Sequence, residues 1–128
     1  KEAGRNAATF ALSEQHKTRQ VLDTKTSLDE IKKFKNEVDF YPLRAEVGDL
    51  FYKNVGIVRK KKELESAHER IRELKSQVRL MGVSDMSKVY NTNLIEFLEF
   101  QNMLDICEIV VRSAIKREVS CGAHFREE

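Results

Sequence analysis

Turn-forming residues are scarce in this chain, with one proline and five glycines in 128 residues. An all-β sandwich or barrel needs many tight turns, so helices are the economical reading. Charge of one sign is lacking too. The 23 Lys and Arg are interleaved with 21 Asp and Glu, leaving a net charge of +2, too little for a nucleic-acid footprint. No apolar run approaches the ~18 residues that a membrane span requires, so no direct membrane insertion is expected. The two cysteines make no disulfide framework, since Cys107 sits in an apolar helical run and Cys121 near the end. They mildly favour a reducing compartment. There is no Gly-rich phosphate loop, no dinucleotide fingerprint and no supported Ser-His-Asp set. The opening Lys1-Glu2-Ala3-Gly4-Arg5 is neither an initiator Met nor a signal peptide, and reads as a cut in mid-sequence.

What is present is helical periodicity. Ala3 to Leu22 is a helix-forming stretch with Ala7, Ala8, Ala11 and Leu12, anchored by Phe10; Asp23-Thr24-Lys25-Thr26 follows as a linker. Ser27-Leu28-Asp29-Glu30 reads as a capping box, opening a short helix through Leu28, Ile31, Phe34 or Lys35, and Val38. Tyr41 ahead of Pro42 is pushed toward extended geometry, and Pro42 suits the first position of the next helix, whose apolar steps are Leu43, Val47, Leu50, Phe51 and Val55, reaching toward Val58. Leu64, Ala67, Ile71, Leu74, Val78 and Met81 form one narrow stripe of the kind a bundle seam shows, with Gly82 as its stop. After Asn91-Thr92-Asn93 as caps, Leu94 to Val119 is apolar nearly all round, which predicts a central helix covered on several sides. The expected fold is all-α: a spectrin-like three-helix bundle with one or two short extra helices and a docked carboxy-terminal tail.

Few residues invite chemistry. Cys121-x-x-His124 has a zinc-like spacing, but a structural site needs four ligands and only His16, His68 and Cys107 remain. The run Arg59-Lys60-Lys61-Lys62 meets Glu63, Glu65 and Glu69 at once, so a solvated mixed face is the better reading. Glu96/Glu99 and Asp105/Glu108 are three apart and share faces. Without a Glu-x-x-His pattern they suit ion pairs with Arg112, Lys116 and Arg117, or contacts across a domain boundary. The tail Ser120-Cys121-Gly122-Ala123-His124-Phe125-Arg126-Glu127-Glu128 packs glycine, histidine, an aromatic and arginine too tightly for an idle end, and reads as a docked segment.

Three segments carry a resemblance. Leu50-Phe51-Tyr52-Lys53-Asn54-Val55-Gly56-Ile57-Val58-Arg59 looks like a family segment ending in Val-Gly-x-x-Arg. Asn91 to Glu96, continuing through Leu98-Glu99, Asn102-Met103-Leu104-Asp105 and Glu108, is similar to a long central helix. Ser120 to Glu128 resembles a closing Ser-Arg-Gly-Ala-His-Tyr-Arg-Glu-Asp signature. Together, over about Pro42 to Glu128, they resemble the carboxy-terminal helical domain of the succinate dehydrogenase/fumarate reductase flavoproteins. Cys121 departs from the commonest signature by removing one cation, and Asp23 to Phe40 fits less well and reads as a branch-specific insertion.

The resemblance implies a parent protein that holds FAD and interconverts fumarate and succinate. This chain would be its non-catalytic buttress, with no catalytic, cofactor or metal residue of its own and no cofactor expected within it. On that reading, residues 1–25 are the end of a helix leaving an FAD domain plus a linker, and 26–128 the bundle domain. The implied partners are the FAD-binding and capping domains of the same polypeptide and an iron–sulfur subunit, on the cytoplasmic face of a membrane complex or in an exported version. Ser120, Gly122, His124 and Arg126 would dock the domains, since a guanidinium can fork onto a carboxylate and a histidine can bridge two segments. The competing reading is a free-standing helical interaction module that uses the 64–81 seam.

Overall fold

The computed structural model describes residues 2–13 and 28–127. Two compact units divide the chain, Lys1–Glu30 and Ile31–Glu128. In the first, helix α1 spans Glu2–Ser13, with the Thr9 hydroxyl donating back to the Arg5 carbonyl at 3.0 Å. The continuation expected to Leu22, with His16, the Asp23–Thr26 linker and the Ser27 cap, lies outside the described residues, as do the side chains of Ala7, Phe10, Ala11 and Leu12.

The short helix expected to reach Val38 is helical only over 28–31. Asn36 takes a left-handed turn at φ 52°, and the segment then extends along the chain after the third helix. The Glu37 and Val38 amides donate to the Leu80 carbonyl at 2.8 and 3.1 Å. Gly82 serves this contact rather than a helix stop: a Cβ there would lie 3.2 Å from the Asn36 backbone nitrogen.

Helix α2 covers Phe40–Asn54 and begins two residues before Pro42. Asp39 is the cap, its carboxylate accepting the Tyr41 amide at 3.0 Å. Pro42 therefore falls third in the helix, still among the first-turn positions whose amides have no intrahelical partner. The cap holds Tyr41 helical despite the proline beside it. Strand β1, Val58–Lys60, takes Val58 out of the helix and runs straight into α3, Lys61–Gln77. A 3₁₀ turn over Val78–Leu80 follows, so Met81 is buried from beyond the helix. Helix α4, Thr92–Lys116, is capped by Asn91. The Asn91 side-chain Oδ1 accepts the Leu94 amide at 2.7 Å, and its Nδ2 donates to the Asp85 and Ser87 carbonyls. That satisfies a side chain only 8% exposed.

Helices α2, α3 and α4 make the bundle. The α3 stripe Leu64, Ala67, Ile71 and Leu74 is fully buried at 0% exposure, worth about 1.5–3 kcal/mol for each large side chain. It meets Phe97, Phe100, Leu104 and Val111 of α4 in one core. Phe40 stacks into this core edge-on to Phe97 at 5.3 Å. The Arg70 guanidinium forks onto Glu46 at 2.6 and 2.9 Å, fastening α3 to α2. Helix α4, expected to be covered on several sides, is covered where it faces α2 and α3 and leaves Ile95, Ile106 and Ile109 more than half exposed.

Candidate functional site: the carboxy-terminal tail

The tail is built onto the bundle by backbone chemistry. After α4 ends at Lys116, Cys121 and His124 exchange backbone hydrogen bonds of 2.9 and 3.1 Å. Gly122, at φ +57°, takes the first central position of this tight turn, where a side chain would be strained. Strand β2, Phe125–Glu127, then pairs parallel with β1 in the register Val58↔Phe125, Arg59↔Arg126, Lys60↔Glu127. Ser120 accepts the Arg126 amide on its hydroxyl at 2.9 Å.

His124 is the keystone, only 6% exposed. Its Nδ1 lies 2.7 Å from Arg59 Nη1 and its Nε2 2.9 Å from the Arg117 carbonyl oxygen. A guanidinium only donates and a carbonyl only accepts. The ring therefore takes the neutral tautomer with its proton on Nε2, accepting from β1 and donating to the end of α4. Arg59 also donates to the Gly56 carbonyl at 2.6 Å. Sequence reasoning misses this role of Arg59, although Val55-Gly56-Ile57-Val58-Arg59 is part of a segment carrying the resemblance. Two motif-like segments 65 positions apart are the available signal, and the sheet shows why they belong together.

Ser120, Gly122, His124 and Arg126 are thus brought into one turn and strand. The first three are spent on folding the tail onto its own domain. Arg126 differs: its side chain is half-buried, and Nη1 is enclosed with no hydrogen-bond partner. It lines an open groove of about 750 Å³ with Lys60, Lys61 and Lys62, the carboxylates Glu118 and Glu127, and Ser120. Cys121, exposed with a free thiol, contributes only backbone to the turn, so a cation is not needed there for the tail to fold.

The other candidates resolve structurally. The carboxylates of α4 pair with other helices rather than with Arg112, Lys116 and Arg117: Asp105 and Glu108 flank Lys75 at 2.7 and 2.5 Å, Glu99 meets Arg44 at 3.6 Å, and Glu96 accepts from the Tyr41 hydroxyl. Lys75 holds the Glu108 carboxyl below its ordinary range, and Asp105 with Glu108 raises the Lys75 ammonium above its own. His68 Nε2 sits 3.7 Å from Glu108, too long for a hydrogen bond. Burial pushes the Cys107 thiol up. Both nitrogens of His124 are engaged, so the zinc-like spacing to Cys121 is used as a turn. The 64–81 seam is filled by α4 inside the domain, which removes the surface that the free-standing module would need. Among the described residues, no helix is long and apolar enough to cross a membrane.

Nor do the described residues fit a dinucleotide. Such a group asks for a glycine-rich turn between strand and helix, whereas β1 passes into α3 with no intervening loop. The glycines stand apart at 4, 48, 56, 82 and 122.

The tail thus latches a helical bundle onto itself, and comparison with known proteins places that domain. Residues 44–128 match the family described as fumarate reductase flavoprotein C-term, and the chain belongs to it. It is similar to the fumarate reductase flavoprotein subunit of Haemophilus influenzae, 30% identical over 129 residues, covering 97% of this chain and 22% of that protein. It is also similar to the succinate dehydrogenase flavoprotein subunit of Rickettsia bellii, 31% identical over 100 residues, covering 78% of this chain and 17% of that one. Among solved structures, the Mycobacterium smegmatis Sdh1 complex in the apo form is similar, with a TM-score of 0.82 and 28% identity, covering 97% of this chain and 22% of the other. The chain thus spans under a quarter of the length of these relatives.

Proposed function

We propose that this domain is the non-catalytic buttress of an FAD-dependent oxidoreductase that interconverts fumarate and succinate. The observation that carries the reading is the match over residues 44–128, which includes the tail latched by His124 onto Arg59. FAD and the dicarboxylate would then be held by parts of the polypeptide outside this chain. The domain would meet the FAD-binding and capping domains through the tail. Ser120, Gly122 and His124 would act there by fixing the tail's shape, and Arg126 by its charge. An iron–sulfur subunit would carry electrons onward, with the assembly on the cytoplasmic face of a membrane through other subunits. The division at 25/26 between leaving helix and bundle domain belongs to the same proposal.

Purification of this chain alone, beside the longer polypeptide read in frame upstream of Lys1, tests it. The chain alone should show no flavin absorbance and no fumarate reduction, and the longer protein both. Near-stoichiometric FAD on the chain alone would overturn the assignment.

A further inference from the structure

We infer that the groove between the start of α3 and β2 is a binding site for a dianionic oxyanion, a paired carboxylate or a phosphate. Four cations, Lys60, Lys61, Lys62 and Arg126, face two carboxylates, Glu118 and Glu127, leaving a net charge of two positive. Glu127 is already committed to Lys60 at 3.2 Å. Among the described residues, Lys61 and Lys62 have no ion-pair partner. They occupy the first two positions of a 17-residue helix whose cap, Lys60, offers no side-chain acceptor to the free amides. A helix start of that kind favours negative charge.

The independent observation is Arg126. One of its guanidinium nitrogens is sealed from water and bonded to nothing, an arrangement that costs stability until an acceptor arrives. A small side-chain rotation into the groove lets the guanidinium fork onto an oxyanion, with Ser120 beside it. The lysines supply the remaining charge, and Glu118 and Glu127 set the limit at a dianion.

The oxyanion has two sources, a free small dianion or a carboxylate pair on an acidic segment of the longer polypeptide. The second source rests on the proposed function, whereas the site itself is read on the chain alone. Amide chemical shifts of the chain are followed by NMR during titration with succinate or inorganic phosphate, against sodium chloride at matched ionic strength. Saturable shifts confined to the amides of 60–62, 120 and 126 are expected. Arg126→Ala should weaken binding at least tenfold, Arg126→Lys less, and the exposed Lys62→Gln severalfold without touching the fold. Glu118→Gln should tighten it. In the longer polypeptide, retained binding identifies a free dianion as the occupant, and a groove closed to both probes overturns that source. Shifts that only track ionic strength, or that survive Arg126→Ala together with Lys62→Gln unchanged, overturn it.

Discussion

At the scale of single residues, the molecule depends most on a histidine that carries no charge. His124 accepts from Arg59 and donates to the Arg117 carbonyl, so its removal strands a carbonyl at the end of α4 and a guanidinium on β1. Because the ring is buried, the loss should fall within the ~1–3 kcal/mol of an unsatisfied buried partner. His124→Ala is expected to unfold at lower denaturant and to speed hydrogen exchange at the amides of 121–127, with α3 amides nearly unchanged. Equal protection of the tail in wild type and variant would remove the keystone role. This residue is legible in the sequence as part of a dense tail. Its partner is not, because nothing local to Arg59 signals a contact with a residue so far along the chain.

At the scale of elements, patterning locates the helices and misjudges how much of one is covered. The α3 stripe read from the sequence is buried as expected, because a narrow stripe has only one face to offer. Helix α4 carries apolar residues around its circumference, yet only the side toward α3 and α2, which presents Phe97, Phe100, Leu104 and Val111, is covered. Within this chain Phe100→Ala should therefore cost about 3–5 kcal/mol. Ile109→Ala, at 64% exposure, should stay within ~0.5 kcal/mol. Denaturant midpoints of the two variants check the contrast, and comparable losses would mean that α4 is covered on both sides. The segment after Ile31 defeats sequence reading for another reason. Its apolar spacing suits a helix, but pairing with the Leu80 carbonyl and the gap left by Gly82 hold it extended. Both are tertiary effects absent from the local pattern.

For the whole molecule, acid and base act on the ties between helices. Arg70 holds the Glu46 carboxyl, and Lys75 the Glu108 carboxyl, below the ordinary value of 4.5. Their contributions are complete above that value and are lost as pH falls through the lower, folded ones. The Lys75 ammonium is raised above 10.5 by Asp105 and Glu108, so its share is complete below 10.5 and is lost as pH rises beyond it. The share of stability that these ties supply should be flat between roughly pH 5 and 10 and fall on either side. A Glu46→Gln, Glu108→Gln double variant should flatten the acid limb in denaturant melts; an unchanged limb would place the acid sensitivity elsewhere. The parallel pairing of β1 with β2 has a kinetic side. Val58 finds Phe125 67 positions further on, and closing so long a loop costs about 4 kcal/mol, more than three rungs can return. The two strands can meet only once the helices between them have packed, so the tail should zip last and peel first. The exposed thiol of Cys121 sits on that latch, and a dye placed there would announce the state of the bundle beneath it.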